Sequence, residues 1–178
     1  MTLTYSHHDA AEARQLLPEM IDVYEDVYAA ELDNPFDSTE RWVERFHGHS
    51  SRYAYELVTV RDDGRMIGFI YGMSLPPDTH WWDGLVQPLP DELATWTREG
   101  RVMALPELMV RQPYRRQGIA RRLHDELIKE RPEAIASLLV DKDNVSARTA
   151  YQHWGWAKVG DLQPFPDAPL FDALVKYL

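Results

Sequence analysis

The segment from Leu105 to Ala120, which reads LPELMVRQPYRRQGIA, carries side chains suited to binding an anion. A short apolar run ends at Val110, and a basic turn then leads through Gly118 into a predicted helix. Five arginines lie in this turn and at the helix start: Arg111, Arg115, Arg116, Arg121 and Arg122. Backbone amides at a helix N-terminus, a glycine that lets a ligand come close and clustered guanidinium groups together suit a diphosphate. We therefore expect a diphosphate-binding turn here.

A second segment, DNVSARTAYQHWGW, places Asn144 at the start of a predicted helix and Tyr151 seven residues later. Asparagine is a favoured N-cap residue, and Gly155 is suited to ending the helix. Tyr151 shares a helical stripe with Ala147 and Trp154, which is typical of a packing residue. A phenol in a catalytic site can instead donate a proton. On these residues alone, both interpretations of Tyr151 stay open.

Composition excludes several classes of function. With 178 residues, 44% of them hydrophobic, the chain can bury one core, so we expect a single domain over residues 1–178. A net charge of −10 argues against a general nucleic-acid or anionic-membrane binder. The absence of cysteine excludes disulfides, zinc–thiolate sites and thiol catalysis. The N-terminus lacks the features of a signal peptide and no apolar run could span a bilayer, so we expect a cytoplasmic protein.

The order of predicted elements indicates an α/β protein with a mixed sheet of about seven strands. A helical segment is predicted to start or kink near Pro18, and a strand apolar at every position but Ser137 is predicted to be buried on both faces. The predicted elements are a strand Thr2–Ser6, helices Asp9–Ala30 and Ser38–Phe46, strands Tyr53–Val60, Met66–Met73 and Val102–Val110, a helix Gln117–Arg131, a strand Ile135–Val140, a helix capped by Asn144, and strands Trp156–Leu162 and Leu170–Leu178.

The segment 75–100 is rich in proline and tryptophan and interrupts the strand pattern. Exposed tryptophans are unfavourable, so we expect a folded insert that lies over a substrate or forms a wall, not a disordered linker. Within it, Trp81, Trp82 and Asp83 could hold a cationic amine through cation–π and ionic contacts. A dimer contact, or a segment packed on the core, explains these three residues equally well. A homodimer therefore stays open.

Together, the two motif segments resemble the GNAT superfamily of acyl-CoA-dependent N-acetyltransferases. The run Arg115–Ala120 looks like the superfamily's pyrophosphate loop, Q/R-x-x-G-x-G/A. The segment from Asn144 to Trp156 looks like its N-x-x-A-x-x-x-Y-x-x-x-G-F/W pattern. The resemblance implies a single-domain GNAT fold, whose mostly antiparallel sheet splays between its two central strands and is flanked by about four helices. The 75–100 insert lies outside this pattern.

The resemblance also implies how acetyl-CoA, the co-substrate, is bound. Backbone groups of Leu108, Met109 and Val110 would hydrogen-bond the pantetheine arm like an added strand, and Asn144 would reach the same arm. Charge from Arg115 and Arg116 would add to backbone amides around the pyrophosphate. The pyrophosphate-binding residues would be Arg115, Arg116, Gln117, Gly118, Ile119 and Ala120.

The implied reaction is direct attack of an amine on the acetyl thioester, which needs a base, an oxyanion donor and an acid. Tyr151 matches the superfamily position of the acid, and a backbone N–H near Met109 or Val110 would bind the oxyanion. The base is either Glu107 or an ordered water. Many relatives carry the acidic residue one position earlier, at Pro106 here, and strand alternation would turn Glu107 to the other face unless Pro106 introduces a bulge.

The expected function is acetylation of a primary amine of a small molecule, such as an aminoglycoside-like, polyamine-like, amino-acid-derived or xenobiotic amine. The acidic N-terminal helices and the segment Trp81–Asp83 motivate a cationic acceptor. The alternatives are a protein or peptide N-acetyltransferase and a non-catalytic acyl-CoA-binding protein. No metal is expected, because His47, His49 and His80 lack a third ligand at a recognisable spacing.

Overall fold

The computed structural model describes all 178 residues, Met1–Leu178, as six α-helices and seven β-strands. The elements in chain order are β1 (Leu3–His8), α1 (Ala10–Gln15), α2 (Leu17–Val27), α3 (Thr39–Ser50), β2 (Glu56–Asp62), β3 (Arg65–Ser74), α4 (Asp91–Arg98), β4 (Val102–Val110), α5 (Ile119–Ile128), β5 (Ile135–Asp141), α6 (Val145–His153), β6 (Ala157–Leu162) and β7 (Phe171–Tyr177). A single 3-10 turn, Gln112–Tyr114, follows β4. No helix is both long enough and apolar enough to cross a bilayer.

The strands form one sheet in the order β1-β2-β3-β4-β5-β7-β6. The β1–β2, β2–β3, β5–β7 and β6–β7 pairs are antiparallel, whereas β4 and β5 are parallel. The parallel register pairs Val102–Ala104 with Ile135–Ser137 and ends there. The predicted mixed, mostly antiparallel sheet of seven strands is confirmed, and the short parallel register is compatible with the predicted splay. The structure has six helices where about four were expected, partly because the insert contains one of its own.

The chain divides into two compact units, and the division runs through β3 and β4. Unit one comprises Met1–Met73 and Glu107–Glu130. Unit two comprises Ser74–Pro106 and Arg131–Leu178.

Local capping signals explain where the first helices of unit one begin and end. Asp9 and Glu12 form a capping box at α1, with reciprocal backbone-to-carboxylate hydrogen bonds of 2.9 and 3.0 Å. Pro18 lies in the first turn of α2, where its missing N–H costs no helical hydrogen bond. Ser38 caps α3 by accepting from the backbone N–H of Arg41. The predicted helix start near Pro18 and the predicted cap at Ser38 are therefore confirmed.

The core of unit one is dominated by aromatic side chains between the helices and the sheet. Trp42 and Phe46 of α3 are fully buried, and their rings contact Phe69 and Tyr71 of β3 at centroid distances of 6.2 and 6.1 Å. Burial of a side chain of this size contributes about 2–3 kcal/mol to folding, so this contact holds α3 firmly on the sheet.

In unit two, the 75–100 insert is folded and covers the edge of β6. The backbone N–H of Val86 donates to Asp161 across 2.8 Å, and that of Gln163 donates to Gly84 across 3.0 Å. A Cβ atom at Gly84 would lie only 1.9 Å from the Gln163 carbonyl oxygen, so this close approach requires glycine. The insert thus supplies partners to an edge that would otherwise be open to pairing with other chains.

Candidate functional site

The turn between β4 and α5 in unit one has the backbone geometry of an anion-binding loop. Arg116 and Gly118 both have left-handed backbone conformations, with φ of +60° and +78°. Gly118 occupies the N-cap of α5 without a side-chain cap, and the first turn of the helix contains no acidic residue. The first amides of a helix have no intrahelical acceptor, so this turn leaves N–H groups for an anion.

Only two of the five arginines are available to that turn. Arg115 and Arg116 are exposed, and Arg115 is oriented by a 2.9 Å hydrogen bond from its Nε to the Val110 carbonyl. Arg121 pairs with Asp125 at 2.7 Å. The guanidinium of Arg122 lies 4.1 Å above the ring centroid of Tyr5.

The expectation that all five arginines contribute to anion binding is wrong for Arg111. Its side chain is buried, and its guanidinium forms ion pairs with Asp22 and, at 3.1 Å, with Asp26. Its Nε also donates to the Met66 carbonyl at 3.1 Å. Arg111 therefore joins the end of β4 to α2 and β3, and its charge is already neutralised.

Glu107 of β4 is the carboxylate nearest in sequence to the anion-binding turn, and its environment makes it unusual. The indole Nε1–H of Trp42 donates to Oε1 of Glu107 at 3.2 Å. Burial raises the pKa of Glu107 to about 7, and the charge of Arg45 and the Trp42 hydrogen bond only partly oppose this rise. The residue keeps some solvent exposure. A carboxyl group with a pKa near neutrality can both accept and release a proton.

Four tyrosines interact electrostatically with this carboxylate, and together with Trp42 they form a set that we call the tyrosine shell. Burial is the largest cause of the raised pKa of each tyrosine hydroxyl, and the negative charge of Glu107 adds to it. The tyrosines are Tyr24, Tyr28, Tyr55 and Tyr71. This shell was not predicted from the sequence. The spacing of four between Tyr24 and Tyr28 on one helix face was the one local signal for it.

In unit two, Tyr151 and Asn144 lie on and at the start of α6. Tyr151 is buried, and its ring packs edge-on against Trp154 and Trp156 at centroid distances of 5.5 and 5.8 Å. Asn144 caps the helix, because its Oδ1 accepts from the Ala147 backbone N–H at 3.1 Å. The predicted cap is confirmed, and the proton-donor role of Tyr151 stays a prediction.

The side chains of Trp81, Trp82 and Asp83 are engaged within unit two. The Trp81 indole donates to Ser137 at 3.0 Å, and the buried Trp82 indole donates to Thr97 at 3.1 Å. Asp83 is exposed and lies 2.7 Å from the His80 ring. The two indoles thus attach the insert to β5 and α4, and a substrate contact by these residues stays a prediction.

Metal-ligating side chains do not converge in the structure. No group of three or more histidine, cysteine, aspartate or glutamate side chains is placed to hold a metal ion. His49 is half-buried in unit one, and its Nδ1 lies 3.2 Å from the Tyr71 hydroxyl.

Solved structures with the same fold include several acetyltransferases. A GNAT-family acetyltransferase from Staphylococcus aureus aligns with a TM-score of 0.68 at 16% identity, covering 99% of both chains. The PaiA N-acetyltransferase from Thermoplasma acidophilum, solved in complex with coenzyme A, aligns with a TM-score of 0.61 at 13% identity over all of both chains. The ribosomal-protein-S18-alanine N-acetyltransferase from Escherichia coli aligns with a TM-score of 0.60 at 21% identity, covering 99% of this chain and 93% of that one.

At these identities the structural likeness establishes the fold alone. No curated protein sequence matches the chain significantly. The sequence model of the acetyltransferase (GNAT) family, however, matches residues 17–156, which is most of the chain. The chain therefore belongs to the GNAT family of acetyltransferases.

Proposed function

We propose that this acetyltransferase moves the acetyl group of acetyl-CoA to a primary amine of a small molecule by direct attack. The observation that carries the proposal is Glu107, a carboxyl group with a pKa of about 7 that lies on the strand leading into the anion-binding turn. A base with this pKa is suited to removing a proton from an ammonium group near neutral pH.

The anion-binding turn would hold the pyrophosphate of the co-substrate. The uncapped amides of Gly118, Ile119 and Ala120 offer hydrogen bonds, and the exposed Arg115 and Arg116 add positive charge. A residue with a side chain at Gly118 would be strained by the left-handed backbone, although a Cβ would meet no atom within 4 Å. The residues at this turn therefore fit a diphosphate group.

Strand alternation limits which residues of β4 have backbone groups that could hydrogen-bond the co-substrate. The N–H of Arg111 points to β3, because it donates to the Ile67 carbonyl at 2.9 Å, and the Met109 carbonyl also lies against β3 at Gly68. Successive residues of a strand point their backbone groups to opposite edges. Leu108 and Val110 are therefore our candidates for hydrogen-bonding the pantetheine arm, with the Val110 N–H as the oxyanion donor in preference to Met109.

Acetyl-CoA supplies the thioester carbonyl carbon that the amine attacks. Glu107, with Oε1 held by Trp42, would take the proton of the ammonium on Oε2, either directly or through an ordered water. The Val110 N–H would stabilise the tetrahedral oxyanion. Tyr151 would give its hydroxyl proton to the leaving thiolate, and the Asn144 amide would contact the pantetheine arm.

The second candidate is a protein or peptide N-acetyltransferase. It is supported by the fold shared with the Escherichia coli enzyme named for the alanine of ribosomal protein S18. A non-catalytic acyl-CoA-binding protein would keep the anion-binding turn without needing a base of raised pKa, so the environment of Glu107 favours an enzyme.

The first experiment measures thermal stability with and without acetyl-CoA. A ligand that binds only the native state at about one hundred times its Kd stabilises the protein by about 2.7 kcal/mol, so a clear rise in Tm is expected. Arg115→Ala and Arg116→Ala should each reduce this rise. If acetyl-CoA leaves Tm unchanged, the proposed function is wrong.

The second experiment follows release of the CoA thiol with small amines and with peptides that begin with alanine. Small amines should be the better acceptors. Tyr151→Phe should lower kcat by about a hundredfold and keep the acetyl-CoA shift in Tm, since it removes only the proton donor. Tyr177→Phe, an exposed tyrosine of the same unit, is the control. Unchanged turnover in Tyr151→Phe would exclude Tyr151 as the acid, and a preference for peptides would establish the second candidate.

A further inference from the structure

We infer that the acceptor is a monoamine with a flat, apolar substituent, and that Tyr28 determines this specificity by contacting that substituent beside Glu107. The inference rests on the proposed function, because it names the acceptor class of the same site. It is carried by the ring geometry, the hydroxyl partners and the charges of the tyrosine shell.

The first observation is a stack of three aromatic rings that leads to the carboxylate. The ring of Tyr28 stacks on Tyr24 at 4.6 Å, and Tyr24 stacks on Trp42 at 4.7 Å, with interplanar angles of 24° and 20°. Trp42 in turn donates to Glu107. Tyr28 is the outermost ring of the stack and is only half-buried, whereas Tyr24 and Trp42 are fully buried. Tyr28 is therefore the ring of this stack that stays accessible to a flat group of the acceptor.

The second observation concerns the hydroxyl groups of the shell. Tyr24 donates to the Asp37 carbonyl at 2.8 Å, and the Tyr71 hydroxyl lies 3.2 Å from His49. The hydroxyl of Tyr55, a residue that is 7% exposed, has no hydrogen-bond partner in the protein. Buried polar groups are almost always paired, so this hydroxyl remains available to a group from outside the chain.

The third observation is the balance of charge at Glu107. Arg45 and Asp37 act on its carboxyl group with opposite signs. Arg45 is held in place by its hydrogen bond of 2.8 Å to the Phe36 carbonyl and by its position 4.5 Å above the Phe36 ring. Arg45 has the larger effect of the two, so it would repel a second cationic group of the acceptor, whereas the Glu107 carboxylate can balance one ammonium.

Aromatic rings beside a carboxylate are suited to binding an ammonium group, through the negative ring faces and through the ionic contact. Apart from Glu107, the residues of the tyrosine shell present aromatic rings to an acceptor and no further carboxylate. A monoamine on a flat, apolar group therefore satisfies the shell better than a polyamine, whose additional charges would remain unpaired.

The test compares 2-phenylethylamine with spermidine as acceptors in the thiol-release assay. For the wild-type protein, kcat/KM should be about tenfold or more higher for 2-phenylethylamine. Tyr28→Ala should lower kcat/KM for 2-phenylethylamine about tenfold, mainly through a higher acceptor KM, with the KM for acetyl-CoA unchanged. Tyr28→Phe, which keeps the ring, should restore most of the activity.

Tyr53→Ala is the matched control, because Tyr53 is another tyrosine of unit one and is 84% exposed. It should leave both acceptors unaffected. A preference for spermidine, or equal effects of Tyr28→Ala and Tyr53→Ala, would overturn the inference while thiol release upheld the proposed function. If no amine or peptide releases thiol, both the proposed function and the inference are wrong. The thermal shift with acetyl-CoA then shows whether the protein binds acetyl-CoA without catalysis or does not bind it.

Discussion

Trp42 donates its indole N–H to Glu107 across 65 positions of sequence, and this contact connects α3 to the candidate base on β4. The hydrogen bond favours the charged carboxylate, while burial disfavours it more strongly. The hydrogen bond from Trp42 and the burial of Glu107 therefore together set the pKa of Glu107, and so the pH above which it can act as a base.

Trp42→Phe should shift the pH dependence of catalysis. The variant loses the hydrogen bond that lowers the pKa of Glu107, so the pKa should rise above its present value of about 7. The acid limb of kcat/KM should move to higher pH, with a larger loss of activity at pH 6.5 than at pH 8.5. Trp96→Phe, a change in the insert, is the control. Identical pH profiles for Trp42→Phe and the wild type would exclude this role of Trp42.

Glu107→Gln should abolish most activity and yet stabilise the protein in alkaline solution. The folded pKa of about 7 lies above the pKa of 4.5 of a free glutamate side chain, so the folded state binds the proton more tightly than the unfolded state. Stability from this group is therefore fully present below pH 4.5 and is lost as pH rises through 7. The neutral variant should gain on the order of 2–3 kcal/mol over the wild type at pH 8.

Urea unfolding at pH 4.5 and pH 8 measures this gain. At pH 4.5 the difference between Glu107→Gln and the wild type should be small. Glu44→Gln, which changes an exposed glutamate of α3, should have little effect at either pH. Equal stability of Glu107→Gln and the wild type at pH 8 would show that Glu107 titrates normally.

Arg111→Ala should mainly reduce the stability of the protein, whereas Arg115→Ala should mainly reduce its affinity for CoA. Arg111→Ala removes two ion pairs of a buried guanidinium, with Asp22 and Asp26, and a hydrogen bond to Met66, and should lower the free energy of unfolding by about 2–4 kcal/mol. Arg115→Ala should leave stability within about 0.5 kcal/mol, because Arg115 is exposed.

Calorimetric titration with CoA checks the other half of this prediction. Arg115→Ala should weaken binding about tenfold, as loss of a charge-assisted phosphate contact does. Folded Arg111→Ala should bind CoA more tightly than Arg115→Ala does. Weaker CoA binding by Arg111→Ala than by Arg115→Ala would show that Arg111 contributes to anion binding.

Tyr55→Phe and Tyr24→Phe should have opposite effects on stability. The Tyr55 hydroxyl is buried without a partner, so its removal should raise the free energy of unfolding by about 1 kcal/mol. The Tyr24 hydroxyl donates to the Asp37 carbonyl, so its removal should cost about 1 kcal/mol. Denaturant unfolding of the two variants measures both. A loss of stability in Tyr55→Phe would reveal a partner for this hydroxyl.

Most of the helices and strands, and the anion-binding turn, follow from local signals in the sequence. Pro18, Ser38 and Asn144 start helices through contacts with residues a few positions away, and Gly118 permits the left-handed turn before α5. Such signals are local, so hydrophobic period, capping residues and glycine are enough to predict them. The two motifs that led to the family belong to this class.

The contacts of the individual side chains, in contrast, depend on how distant parts of the chain pack together. Arg111 looked like its neighbours in the turn, but it pairs with Asp22, 89 positions away, because folding brings α2 against the end of β4. The pKa of Glu107 likewise depends on Trp42 and on burial, which no local pattern encodes. Ion pairing and desolvation depend on which distant residues meet, so the chemistry of the turn's arginines and of Glu107 was settled by packing.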